Sequence, residues 1–142
     1  MTYTIVVGVD GSPHGNEALR WAVEHAGALD GAVTALFAWQ VPFLGMPGAF
    51  DRDELEKLAK DFLTETVSSM VPSPSVPLWT VVAEGDPTEA LITASEDADL
   101  LVLGSRGRNP FKGLLLGSVC QGCAANTKCP VVIVKIPSET EG

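Results

Sequence analysis

The sequence predicts one α/β domain built on a parallel β-sheet with helices on both faces. Three observations lead there. Five apolar, strand-sized runs alternate with helical patterns along the chain. The first run, residues 4–9 (TIVVGV), is apolar and β-branched at almost every position, the pattern of a strand buried on both faces. The chain has 142 residues, 46% of them hydrophobic, which suits one sizeable core and is short for two domains.

The elements follow in order. After residues 4–9, Asp10-Gly11-Ser12-Pro13 breaks the strand, and Pro13 suits the first turn of a helix capped by Ser12. Ala18, Leu19, Trp21, Ala22 and Ala26 recur at helical spacing up to Leu29, with Trp21 read as core. Asp30-Gly31 turns the chain into a second strand, Ala32–Trp39. Residues 40–50 (QVPFLGMPGAF) form a long apolar loop rich in proline and glycine. Asp51 opens a charged helix to Met70, with Leu55, Leu58, Phe62 and Leu63 along its apolar face. The linker VPSPSVP ends it, and Leu78–Glu84 is a third strand in which Trp79 packs. Asp86-Pro87-Thr88-Glu89 matches a capping box with proline at the first helical position, starting a short helix to Glu96. Residues 99–104 (DLLVLG) make a fourth strand, followed by a glycine-rich loop and a helix over 118–127. Residues 130–136 (PVVIVKI) make a fifth strand, and 137–142 are a polar tail.

The net charge of −9 disfavours a nucleic-acid or anionic-membrane partner. Charge is unevenly spread, however. Arg106, Arg108, Lys112, Lys128 and Lys135 lie between Asp99 and Glu139 with no acid among them, a basic island that suits one small anionic ligand. The longest apolar runs are about 5–8 residues, too short to span a bilayer. The N-terminus has no basic region ahead of its strand pattern, so no signal peptide is expected. Three cysteines, an odd number, point to a reducing, cytoplasmic setting rather than a disulfide scaffold.

Ligands of open parallel sheets bind beyond the carboxyl ends of strands, where the strand order reverses. Two such ends carry unusual chemistry: Gly8-Val9-Asp10-Gly11-Ser12 and Gly104-Ser105-Arg106-Gly107. If strands one and four are neighbours, these ends face each other across a crevice. Residues 104–118 read GSRGRNPFKGLLLGS. Glycines let a backbone approach a ligand and take positive φ, and the exposed N–H groups form an anion nest beside a helix N-terminus. Ser118 offers a hydroxyl and an N–H, while Arg106, Arg108 and Lys112 either surround the site or point to water. Asp10 has two readings, ligand contact or capping of the next helix. Ser12 reads as a cap with a second role near phosphate or metal. His14 reads as polar surface, and His25 has no assigned role.

Cys120 and Cys123 form C-x-x-C at a helix start, a geometry that lowers thiol pKa. Zinc would need two more ligands, and only Cys129 and two distant histidines remain, so both read as small buried residues. No G-x4-G-K-[ST] occurs, and strand two ends in Trp39-Gln40 rather than an acid, which argues against a P-loop and a dinucleotide site. Neither histidine has an evident nucleophile or acidic partner, so no catalytic residue is assigned.

The spacing G-x2-G-x9-G-[ST] over 104–118 resembles the nucleotide loop of the universal stress protein family. The resemblance covers nearly the whole chain, including the opening strand with Asp10 and the closing CPVVIVK. It implies a Rossmann-like, adenine nucleotide alpha hydrolase-like sheet in the order 3-2-1-4-5, forming a single domain over 1–142. It also implies ATP as ligand, with Mg at Asp10 among the phosphates. By position, Gly8, Val9 and Asp10 should line the adenosine side, Asp10 near the ribose or a metal. Trp39 should hold the adenine through its backbone. Gly104, Ser105, Arg106, Gly107 and Arg108 should wrap the ribose and phosphates, and Gly117, Ser118 and Val119 should cradle the phosphates. Two positions depart from the family pattern: Cys120 stands where a small hydroxyl residue is common, and Trp39 is larger than the usual aliphatic residue. The implied role is a nucleotide-dependent stress sensor with at most slow hydrolysis, the alternative being an ATPase or phosphotransferase at the same site. The expected partners are a second copy through residues 131–136, whose apolar edge would otherwise stay unpaired, and an unknown regulatory protein.

Overall fold

The computed structural model describes residues 2–42, 48, 50–107 and 116–136; Arg108, Lys112 and the 137–142 tail lie outside the described residues. Within them, strands β1 (Thr4–Gly8), β2 (Ala32–Trp39), β3 (Leu78–Glu84), β4 (Leu100–Gly104) and β5 (Val131–Val134) alternate with helices. The helices are α1 (Pro13–Ala28), α2 (Arg52–Met70), α3 (Pro87–Ser95) and α4 (Ser118–Asn126). The strands form one sheet in the order β3-β2-β1-β4-β5, every pair parallel. Val6 of β1 stands between Thr34 of β2 and Leu101 of β4, so β1 and β4 are neighbours.

Because successive side chains of a strand point to opposite faces, a strand buried on both sides must be apolar throughout. In β1, Ile5 and Val7 join α1 and α2 in one core layer, with Val33, Ala35 and Val102. Val6 faces the other way, joining Leu36, Leu101 and Leu103 beneath α3 and α4. Three helices begin at side-chain caps. Ser12 Oγ accepts from Gly15 N–H at 3.0 Å, Asp51 from Asp53 N–H at 2.9 Å, and Asp86 from Glu89 N–H at 3.1 Å. Caps of this kind contribute about 1 kcal/mol each. α4 instead starts at Gly117, with no side-chain cap.

Some sequence expectations are corrected. β5 covers Val131–Val134 rather than 130–136. The buried stripe of α2 is Ala59, Leu63 and Val67, at four-residue spacing, which leaves Leu58 one position round the helix and 63% exposed. Trp79 does not pack as expected: it is 63% exposed and Val81 43%. Both share the face of their partners Thr34 and Leu36, the α3 side of the sheet. α3 packs over β2, β1 and β4, leaving that end of the sheet uncovered. Trp21 is half-buried and stacks on His25, ring centroids 4.6 Å apart, which gives His25 a packing role. Among the described residues no helix is long and apolar enough to cross a membrane.

Candidate functional site

A cleft of about 840 Å³ opens at the carboxyl ends of β1, β2 and β4, bounded by the N-terminal turns of α3 and α4. Its wall is apolar along Leu36, Ala38, Leu91 and Leu103, with Asp10, Gln40, Arg106 and Ser118 as its polar groups. Size and composition suit a small organic ligand with a few directed polar contacts.

The β1 end is a closed set of hydrogen bonds. Asp10 Oδ1 accepts from Ser12 N–H at 2.9 Å and from the Ser12 hydroxyl at 2.5 Å, while Ser12 Oγ accepts from Gly15 N–H. Ser12 is buried and does not line the cleft; it is a cap, and its hydroxyl is already engaged on both sides. Gly15 permits this, since a methyl there would stand 2.7 Å from Asp10 Oδ1. Asp10 Oδ2 faces β4, 3.1 Å from where a Cβ on Gly107 would lie. Asp10 therefore orients the capping serine with one oxygen and turns the other toward the glycine segment, as the crevice argument expected. Among the described residues it is the only carboxylate on the lining, and no cluster of three metal-binding side chains occurs.

Across the cleft, the motif's glycines divide by role. A Cβ on Gly104 would lie 2.5 Å from His14 C and 2.7 Å from Gly15 N, so the first turn of α1 rests directly on it. His14 contributes backbone only; its side chain is not on the lining. Gly8 similarly leaves room for Leu103 and Leu91, whose methyls would meet a Cβ at 3.0 and 3.1 Å. Gly117 has φ −69° and ψ 165°, and the nearest atom to its Cβ position is 3.6 Å away. Positive φ among the described glycines occurs at Gly11, Gly48 and Gly85, which corrects the expectation of such angles at Gly104, Gly107 and Gly117. Gly117 N–H donates to Ser105 O at 2.7 Å, and Ser105 N–H donates to Val134 O at 2.8 Å. Ser105 is buried and off the lining, a backbone clasp rather than a contact residue. Past this clasp, Ser118, Val119 and Cys120 occupy the first turn of α4 and line the cleft. Their N–H groups have no intrahelical acceptor, and the helix dipole makes that end attractive to an anion. Arg106 also lines the cleft.

Cys120 and Cys123 are buried, as the reading of both as small buried residues expected. Burial, and next the neighbouring Cys123, push Cys120 up to about 11, while burial and then Asp86 raise Cys123 to about 11. Desolvation thus outweighs the helix N-terminus. Cys120 Sγ–H donates to Gly104 O at 2.9 Å, tying α4 to the end of β4. At the β2 end, Trp39 lies on the lining and its carbonyl accepts from Gly85 N–H at 2.8 Å. Gln40 Nε2 donates to Gly85 O at 3.3 Å. Gln40, Gly15 and Leu91 were not foreseen as site residues; for Gln40 a signal existed, its place at the carboxyl end of a central strand.

An open parallel sheet with its cleft where β1 and β4 part to opposite sides defines a Rossmann-like α/β protein. The model of the universal stress protein family matches residues 1–135, and the chain belongs to that family. It is 33% identical over 141 residues to universal stress protein MJ0531 of Methanocaldococcus jannaschii, covering 95% of this chain and 83% of that protein. It is also 33% identical over 133 residues to universal stress protein Rv2623 of Mycobacterium tuberculosis, covering 92% of this chain but spanning only 44% of that relative's length. A solved universal stress protein in complex with cAMP matches with a TM-score of 0.72 and 26% identity, over 93% of this chain and 96% of that one.

Proposed function

We propose that this universal stress protein binds ATP, with Mg, in the cleft between the ends of β1, β2 and β4, and acts as a nucleotide-dependent sensor. The observation that carries the reading is the α4 N-terminus: an uncapped first turn, lined up on the cleft beside Gly107 and Arg106. Backbone N–H groups of Ser118 and Val119 hold the phosphates there, aided by the dipole. The Gly117 N–H is engaged by Ser105 and instead sets the position of that turn. Gly8, Val9 and Gly104 shape the wall on the adenosine side, and the Trp39 backbone meets the base. Asp10 Oδ2 takes the ribose hydroxyls or, with the phosphate oxygens, a Mg ion that offsets its own charge. Arg106 and Arg108 add screened attraction. The complex of a related protein with cAMP supports an adenine nucleotide as the ligand class. With no nucleophile–base pair in evidence, the cleft is read as a binding site. The same proposal takes the chain as one cytoplasmic domain, paired with a second copy through β5 and read by a regulatory protein.

Mass spectrometry of ligand released by denaturing the purified protein is expected to show an adenine nucleotide. Calorimetry on Gly117→Val completes the test. A Cβ on Gly117 makes only ordinary contacts, at 3.6 Å and beyond, and its backbone is extended. Valine is therefore expected to be accommodated, which circular dichroism checks, with its side chain at the phosphate position. ATP affinity is expected to fall at least about tenfold, or about 1.4 kcal/mol. Wild-type affinity in the folded variant would remove the site from this cleft.

A further inference from the structure

We infer that Gln40 selects the nucleobase, its side-chain carbonyl accepting a hydrogen bond from a 6-amino group and disfavouring 6-oxo purines. The inference rests on the nucleotide reading above and names what that site discriminates. Gln40 follows the last residue of β2 and lies on the cleft, while Arg106, Gly107 and Ser118 lie at the β4 and α4 side. The wall near β2 is otherwise apolar, formed by Leu36, Ala38 and Leu91. Beside the Trp39 backbone, the Gln40 side chain is the directed polar group at that end, and it adds to the selectivity there.

The orientation of the amide follows from its partner. Gly85 O is a backbone acceptor, so the group facing it at 3.3 Å has to be the NH2, not the carbonyl. Gly85 is itself held, its N–H donating to Trp39 O at 2.8 Å. The two bonds tie the side chain to the corner between β3 and α3 and leave Oε1 and the second Nε2–H without a partner among the described residues. Their fixed order matches the 6-amino donor and N1 acceptor of adenine. Adenine offers a donor at its 6-position, and hypoxanthine or guanine offers an acceptor. The first pairs with Oε1, and the second sets two lone-pair-bearing oxygens against each other.

The test is calorimetry with AMP, inosine 5′-monophosphate and purine riboside 5′-monophosphate, on the wild type and on Gln40→Met. Methionine keeps the length and loses both polar groups at an exposed position, and circular dichroism confirms the fold. The wild type is expected to prefer AMP over the purine riboside nucleotide by about three- to tenfold, the range of one hydrogen bond, and over the inosine nucleotide by more. In Gln40→Met the preference for AMP over each of the other two ligands is expected to shrink by at least about threefold. A variant that keeps the wild-type preference, or a wild type that binds all three alike, overturns the role of Gln40 and leaves nucleotide binding standing. A wild type that binds none of the three, nor ATP, overturns the nucleotide reading and this inference with it.

Discussion

At Gly104 a methyl group would meet His14 C at 2.5 Å and Gly15 N at 2.7 Å, backbone atoms that no rotamer change can move aside. At Gly117 the same methyl would lie 3.6 Å from its nearest neighbours, an ordinary contact. Gly104→Ala is therefore expected to destabilise the fold by about 1–3 kcal/mol, the usual cost of overpacking. Gly117→Ala, at the N-cap of α4, should cost less, on the order of 0.5–1 kcal/mol. Urea denaturation of both variants checks this, and equal losses would contradict the division. The spacing of the motif picks out a segment whose described ends reach the cleft through Gly104, Arg106, Gly107, Gly117 and Ser118. It could not separate a glycine under a helix from a glycine facing a cleft, since that depends on α1, about ninety positions earlier in the chain. Ser12 and Ser105 show the same limit: both stand beside the site, Ser12 with its hydroxyl and Ser105 with its backbone N–H and carbonyl committed to the protein itself.

Element boundaries were legible wherever the signal is local. Ser12 before Pro13 and Asp86 before Pro87 start helices because a cap needs only the next three residues. Leu58 and Trp79 were misread because burial depends on which neighbour arrives overhead, and neither helix pattern nor strand pattern contains that information. In α4 the C-x-x-C lies at a helix start, where thiols can be acidic, but both cysteines read as small buried residues, and burial raises both from 9.0 to about 11. The sign of the pH effect follows. Between about pH 9 and 11 the folded state holds thiol protons that the unfolded chain has lost, so stability falls across that window and is complete below it. Denaturation of the wild type and of the Cys120→Ala, Cys123→Ala double variant at pH 8, 9.5 and 10.5 is expected to show a steeper decline for the wild type. Parallel declines would mean the thiols ionise as readily in the fold as outside it.

The sheet has two edges of different character. β3 pairs over seven residues with β2 and presents Trp79 and Val81 on one face, while β5 is four half-buried aliphatic residues paired to β4 alone. The proposed homodimer uses the β5 edge, where a second strand would satisfy the open backbone groups and cover aliphatic surface. Light scattering at micromolar concentration is expected to give twice the chain mass of 14.9 kDa, with or without nucleotide. A monomer under both conditions would rule this pairing out. The strand directions add a constraint of their own. All five strands run the same way, so every cleft residue gathers at one rim of the sheet. A ladder between identical edges related by a twofold axis forms only with the strands antiparallel. In such a pair the rims lie at opposite ends, and the two mouths open away from each other like the ends of a letter S. Neither copy can lend a side chain to the other's ligand, and each mouth meets the surrounding solution, and any protein in it, on its own side.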